Sequence, residues 1–226
     1  MKKINLLAIM LLCGLTAFSQ AVKDRSVIPV AVNLNQVLRL SITNGGNIEF
    51  VFNTIDDYKN GLSADGATPG AGIYKTDFTV ASSTRWKLTY GAEQTTFIGT
   101  DNPTNTLTLN NVGFKLVNNG INTFEAAGSL IGATPAASLF STPTKNASQV
   151  SALMVYPEDL IADNNTINAN AGDAADNSFT LNWRAGTAET STVALHSLNA
   201  VKLIDQKPSP RPDRYVVNVL FDLVME

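Results

Sequence analysis

The sequence predicts an all-β protein built as an antiparallel sandwich. Three observations predict this fold class. Apolar residues recur at every second position in many short runs, turn-forming Asn and Gly residues separate the runs, and no run has the three-and-four spacing of a convincing helix. Because side chains on a strand alternate between the two faces of a sheet, each run supplies one apolar face for burial. We expect about nine to eleven strands in an Ig-like or jelly-roll-like arrangement.

Residues 1–20 form a leader outside this fold. Lys2 and Lys3 precede an apolar run over residues 4–15, and a short polar stretch follows. That order is typical of a secretory signal peptide, and an apolar run of about a dozen residues is too short to span a bilayer. We therefore expect export to the extracellular space or outer surface of a bacterium, with residues 21–226 forming one domain. A domain boundary within residues 128–149 is the alternative.

Cys13 is the only cysteine and lies inside the leader. The mature chain then has no disulfide, and burial of its core must stabilise it. A lipid anchor at Cys13 is the alternative, because Gly14 follows the cysteine at the end of the apolar run. Bacterial lipobox sequences place a small residue before the cysteine, however, and Leu12 is large.

The charge of the chain argues against two classes of partner. The formal net charge of −3 becomes −5 when Lys2 and Lys3 are removed with the leader. Nucleic acids and anionic membranes bind patches rich in Lys and Arg, so neither is expected as a partner. Charged residues make up 15% of the chain, below the usual quarter. A neutral polar surface of this kind suits an extracellular β protein.

The first predicted strand, residues 30–42, is unusually long. Its even-numbered positions are apolar except for Gln36, and most of its odd positions are polar. It is about twice the usual strand length of roughly five or six residues, so it needs a sheet to cover its apolar face. Residues 43–47 contain an Asn-Gly-Gly turn signal, and alternation resumes over residues 48–52. We expect this second strand to pair back on the first.

Further alternating runs predict the strands that follow. They include the residues Val80, Leu88, Leu107, Phe114, Leu153 and Leu181. Residues 56–72 and 163–177 are rich in Gly, Asn and Asp and predict exposed loops. The Pro-rich residues 208–212 predict a stiff connector, and residues 194–203 are compatible with a strand or a short helix.

The last strand, residues 215–225, is predicted to lie in the middle of a sheet. Every odd position in it is apolar, and three of the intervening positions, Val216, Leu220 and Val224, are apolar too. Strands that are apolar on both faces are typical of sheet interiors.

The residue types that enzymes need are scarce. His196 is the only histidine, no cysteine remains after the leader, and no G-x-S-x-G motif is present. A Ser–His–Asp triad would have to use His196, which we expect to be a polar surface or edge residue. A carboxylate pair for glycoside cleavage stays an alternative, because the chain has 19 acidic residues, but no pattern marks two of them. Glu158 and Asp159 follow Pro157, where a turn places acids in any case. We therefore predict that the protein is not an enzyme.

One loop carries a candidate calcium site. Asp163, Asn165, Asp173 and Asp176 supply the oxygen ligands that this cation prefers. Asn168 and Asn170 add amide oxygens, but the spacing of an EF-hand is not met. The alternative is a soluble connector without metal, and no other cofactor is predicted.

A glycan site would need exposed aromatic rings. Trp86 and Trp183 alternate in phase with apolar neighbours, so we expect both in the core. Tyr58 and Tyr74 lie in or beside the loop of residues 56–72, and they are the predicted ligand-binding residues if the protein binds sugars.

Taken together, the leader, the alternating first strand, the Asn/Gly turns and the long last strand resemble exported bacterial β-sandwich surface subunits, including fimbrial and pilin-like proteins. Residues 30–42 and 215–226 carry the resemblance, about a tenth of the chain. It implies a non-catalytic structural or adhesive subunit that joins other subunits, or copies of itself, by strand pairing between chains. The alternatives are that both strands complete their own sandwich, or that the protein is a carbohydrate-binding module of a surface complex.

Overall fold

The structure is a computed structural model that describes residues 26, 28–65, 71–121, 140–141, 150–163, 170–189 and 196–225. The chain divides into two units, Met1–Asn35 and Gln36–Glu226. The described residues of the first unit form no helix or strand. The second unit carries the fold.

The described residues confirm the all-β prediction. They contain thirteen strands, several of which are only two or three residues long. The strands are β1 (Leu38–Asn44), β2 (Leu62–Ser63), β3 (Lys75–Ser82), β4 (Trp86–Ala92), β5 (Thr96–Gly99), β6 (Thr106–Thr108), β7 (Val112–Asn118), β8 (Phe140–Ser141), β9 (Val150–Ala152), β10 (Glu158–Asp163), β11 (Ser178–Ala185), β12 (Tyr215–Val216) and β13 (Val219–Met225). One α-helix, α1 (Ile55–Asn60), interrupts them.

Three sheets are formed, and all their ladders are antiparallel. Sheet A has the order β1-β3-β11-β7-β9, with β2 pairing at the end of β11. Sheet B has the order β13-β4-β10-β8, and the small sheet C has the order β12-β5-β6. Among the described residues, the edge strands are therefore β1 and β9 in sheet A, and β13 and β8 in sheet B.

Sheets A and B pack face to face and enclose the core. Aromatic rings meet between them: the ring centroids of Phe78 and Phe221 are 6.1 Å apart, and those of Tyr90 and Phe114 are 5.2 Å apart. Trp86 is fully buried and Trp183 nearly so, which confirms that both tryptophans belong to the core. Such contacts between two antiparallel sheets define a β-sandwich.

The predicted loop over residues 56–72 begins inside a helix that the sequence analysis missed. The hydroxyl of Thr54 accepts a hydrogen bond from the amide of Asp57 (3.2 Å), and the Asp57 carboxylate accepts one from the amide of Thr54 (2.8 Å). This reciprocal arrangement is a capping box, which satisfies amides that the first helical turn leaves without partners. Thr54 and Asp57 were the sequence signal for the helix.

The predicted first hairpin is wrong in two respects. β1 begins at Leu38 rather than at residue 30, and residues 48–52 form no strand. Ile48, Phe50 and Phe52 instead pack as partly buried residues against the core. β1 pairs with β3, because Phe78 and Val80 of β3 offer a fully apolar partner for its inward face.

The predicted position of the last strand is also wrong. β13 pairs with β4 and, among the described residues, with no other strand, so it lies at the edge of sheet B. An edge strand with apolar residues on both faces is unusual, because natural edges are generally protected by charges, prolines or bulges.

Candidate assembly interface

One lateral side of the sandwich is bordered by the edge strands β1 and β13. Leu38 pairs with Ser82 and Met225 pairs with Trp86, and only three residues separate Ser82 from Trp86 in the chain. At the other end of the two strands lie Asn44 and Val219. The two edge strands therefore run in opposite directions, and they approach each other between the sheets.

Hydrogen bonds fix which backbone groups of β1 face this side. The amide of Ser83 donates to the carbonyl of Val37 (2.9 Å), so Val37 and every second residue after it point their backbone groups toward β3. The amides and carbonyls of Leu38, Leu40 and Ile42 consequently point away from β3. Within the described residues, no strand pairs with them.

The same reasoning applies to β13. The amide of Glu93 donates to the carbonyl of Asn218 (2.9 Å), which directs the backbone groups of Leu220, Asp222 and Val224 toward β4. The backbone groups of Val219, Phe221 and Leu223 therefore face the free edge. We call the space bordered by Leu38, Leu40, Ile42, Val219, Phe221 and Leu223 the β1/β13 opening.

The side chains that border the opening are apolar and remain accessible to solvent. Ile42 points inward opposite Phe78, yet it is 49% exposed whereas Phe78 is 1% exposed. Leu223 is partly buried, and its ladder partner Leu88 is fully buried. The sandwich core thus reaches solvent between β1 and β13.

A second exposed apolar feature lies in the first unit of the chain. Ile28, Val30, Val32 and Leu34 are 77–92% exposed, and they form no strand. Their two-residue spacing places all four side chains on one face of any extended conformation. We call residues 28–35 the extended segment; it overlaps the amino-terminal part of the predicted first strand, which starts at residue 30.

On the opposite lateral side of the sandwich, buried polar contacts join the edge strand β9 to the amino-terminal end of β10; among the described residues, β8 pairs only with the other end of β10, at Ala162 and Asp163. His196 is 7% exposed, and its Nδ1 atom lies 3.2 Å from the hydroxyl of Ser151 in β9. Its Nε2 atom lies 3.8 Å from a carboxylate oxygen of Glu158 in β10. Burial lowers the pKa of His196, and the nearby Glu158 carboxylate opposes that change.

The sequence predicts His196 to be a polar surface or edge residue; it is buried rather than on the surface, and it lies beside the edge strand β9. Three groups of a type found in hydrolases lie together, but Ser151 has no exposed surface and its hydroxyl cannot reach a substrate. This contact had no local sequence signal, because Ser151 and His196 come from distant parts of the chain and belong to no common motif.

The two predicted glycan-binding tyrosines do not form a common surface. Tyr74 is 5% exposed and stacks on Phe50, with ring centroids 4.6 Å apart. Tyr58 lies on α1 and packs against Phe52 at 5.3 Å, with 36% of its surface exposed. The expectation that Tyr74 is free on a loop is wrong, because its ring covers one end of the core.

The four predicted calcium ligands are described only in part. The side chain of Asp163 and the whole of Asn165 lie outside the described residues. Asp173 accepts hydrogen bonds from the amides of Ala175 (2.7 Å) and Asp176 (3.0 Å), and Asp176 accepts one from the amide of Asp173 (3.2 Å). In the described part of the chain no group of three or more acidic, His or Cys residues could hold a metal. The calcium site stays a prediction.

Asn170 has a role that sequence reasoning missed. Its side-chain oxygen accepts from the Trp86 amide (2.9 Å), its side-chain amide donates to the Trp86 carbonyl (2.7 Å), and its backbone carbonyl accepts from the Trp86 indole (2.8 Å). Asn170 is 1% exposed. Its side chain thus bonds the backbone of Trp86 as a neighbouring strand would, at the residue where β4 begins. Asn170 is therefore a structural residue rather than a free calcium ligand.

No protein-family model matches this sequence, and no curated protein matches it either. Among the described residues, no helix has the length and apolar character needed to cross a membrane.

Proposed function

We propose that this protein is an exported, non-catalytic structural subunit that assembles with copies of itself at the cell surface. The extended segment of one copy adds as a strand to the free edge of β13 in the next copy. The observation that carries the proposal is the β1/β13 opening, where inward-facing apolar side chains and unpaired strand edges coincide. An added strand forms hydrogen bonds with the backbone groups of the edge strand, and its alternate side chains fill apolar pockets.

The extended segment matches the opening in length and spacing. Antiparallel to β13, its four apolar residues fall opposite the four inward-facing residues of that strand, in the pairs Ile28–Met225, Val30–Leu223, Val32–Phe221 and Leu34–Val219. In this register the backbone of Pro29 faces away from β13, so the missing proline amide costs that ladder nothing. Burying each of the four side chains contributes about 1.5–3 kcal/mol.

The direction of the added strand determines the kind of assembly. Leu34 enters at the Val219 end of the opening, and the body of its own copy follows immediately after it in the chain. The acceptor's own β1 begins at the other end, beside Met225. The contact is therefore head-to-tail, so its repetition produces an open filament, or a closed ring where the rotation between copies closes.

The opening must widen slightly to admit a strand. Several Cα atoms of β1 and β13 are no more than 8 Å apart. A strand between two others needs two interstrand spacings of about 4.8 Å each. We expect the edges to move apart on assembly, and the half-exposed side chains there leave room for that movement.

Light scattering on the purified mature chain tests this proposal. Val32→Glu places a charge on the apolar face of the extended segment and should abolish assembly. Asn33→Glu adds the same charge to the other face of that segment and is the matched control, which should leave assembly intact. A mature chain that remains monomeric at high concentration, or a Val32→Glu variant that assembles as well as the control, would contradict the proposal.

A further inference from the structure

The contact at His196 connects the two sheets on the closed side of the sandwich. Ser151 belongs to β9 in sheet A, and Glu158 begins β10 in sheet B. His196 lies between them at hydrogen-bonding distance from the serine and slightly farther from the carboxylate. This geometry makes the imidazole a direct link across the edge of the core.

The same short segment is fastened at two further points. The amide of Leu198 donates to the carbonyl of Glu189 (3.1 Å), and the amide of Asn199 donates to the carbonyl of Asn110 (2.8 Å). Leu198 is buried over Gly113 of β7, where a side chain at the glycine position would meet it. Residues 196–199 therefore cover an edge of the sandwich and depend on contacts at both ends.

Few ionisable groups of the described residues face this contact. Glu158 comes from β10, and Tyr90 comes from β4, its hydroxyl 3.4 Å from the carbonyl of Ala152. β9 itself carries no charged residue. On β7, Lys115 lies opposite Val150 and forms an ion pair with Asp65 at 3.4 Å. Glu189, whose carbonyl accepts from the Leu198 amide, has its carboxylate paired with Arg184 at 2.7 Å. Among these groups Glu158 is thus the one carboxylate within 4.0 Å of the His196 ring.

We propose that His196 is a pH-sensitive latch that holds residues 196–199 over the β9/β10 side when neutral and releases them when protonated. Placing a positive charge in this buried position costs desolvation that one partly exposed carboxylate does not offset. The protonated ring is more stable in water, so acid favours the open segment. This inference is independent of the assembly proposed above.

The sign of the effect follows from linkage. Because burial lowers the pKa of His196 in the folded protein, the unfolded or open chain binds the proton more readily. At pH values above 6.5, the ordinary pKa of histidine, His196 is neutral and the latch is fully effective. It weakens as the pH falls from there toward the lowered folded value.

Amide hydrogen exchange on the mature chain, measured at pH 7.5 and pH 5.5, tests the latch. The protection factors of the Leu198 and Asn199 amides should fall in the wild type at the lower pH, by up to about tenfold. His196→Asn keeps a polar group near Ser151 but cannot titrate, and its protection factors should be unchanged over the same interval. Equal losses in both proteins would overturn the proposal.

An NMR titration of the wild type provides a second readout that needs no variant. His196 is the only histidine, so its ring resonances are identified without further assignment. The proposal expects a pKa below 6.5 that falls further in Glu158→Gln, because the compensating carboxylate is removed. A folded-state pKa at or above 6.5 would overturn it.

Discussion

The two lateral sides of the sandwich are completed in different ways. Between β9 and β10, Ser151 and His196 are buried, and the described residues there leave little of the core exposed. Between β1 and β13, inward-facing residues such as Ile42 and Met225 remain 49% and 42% exposed. Both sides have the same problem, since the edge of a sandwich exposes apolar interior and unpaired backbone. On the β9/β10 side residues 196–199 of the same chain cover the edge, whereas on the β1/β13 side no described strand pairs with the free edges.

The largest expected effect comes from the interior that both sides share. Leu88 is fully buried in the centre of sheet B, so Leu88→Ala should lower the free energy of unfolding by about 2–5 kcal/mol. Urea denaturation of the unassembled subunit measures this loss. A loss near zero would mean that the sandwich core is not packed as described.

A smaller but substantial effect is expected where β4 begins. Asn170→Ala removes two hydrogen bonds to the buried backbone of Trp86 and should cost about 2–4 kcal/mol in unfolding free energy. Asn199→Ala is the matched control, because the Asn199 side chain accepts from the exposed amide of Val201 (3.0 Å) and from no other group of the described residues. It should cost about 1 kcal/mol or less. Equal losses of unfolding free energy in the two variants would show that the hydrogen bonds between Asn170 and Trp86 stabilise the fold no more than an exposed hydrogen bond does.

The smallest effect on the isolated subunit should come from the open side. Leu223 pairs directly with Leu88, but its side chain is only partly buried. Leu223→Ala should therefore cost about 1 kcal/mol in the monomer, well below Leu88→Ala. In the assembled state its cost should rise, because the added strand would complete its burial. Similar costs for both leucines in the monomer would show that the core is as well covered at the β1/β13 opening as at the centre of sheet B.

Several features of the fold were predictable because alternation along the chain is a local signal. The two tryptophans and the strands β3, β4 and β11 follow it closely, since each has covered faces in its own domain. The amino-terminal half of the predicted first strand follows the same pattern but forms no strand. An alternating pattern predicts only that the apolar face of a strand is buried. It does not predict whether the residues that bury it belong to the same chain or to another.

The position of β13 illustrates the same limit. Its apolar residues on both faces predict a central strand, yet within the described residues it is an edge. The mismatch is understandable if the sequence pattern reflects the assembled state, in which β13 would have a neighbour on each side. Contacts such as Asn170 with Trp86 and His196 with Ser151 were beyond prediction, because they join residues that are distant in sequence and belong to no local motif.

The comparison between the two sides depends on which chain fills the β1/β13 opening. Cysteine cross-linking between copies tests this directly, because the mature chain is expected to contain no cysteine of its own. Val30→Cys in one copy and Leu223→Cys in another should be joined rapidly by a short bis-maleimide, since the proposed register places these residues opposite each other. Ala31→Cys is the matched control, and its side chain would point away from the pairing face. Efficient cross-linking of Val30→Cys with Leu223→Cys, and little with the control, is the predicted result. Equal cross-linking from both positions, or none from either, would contradict it.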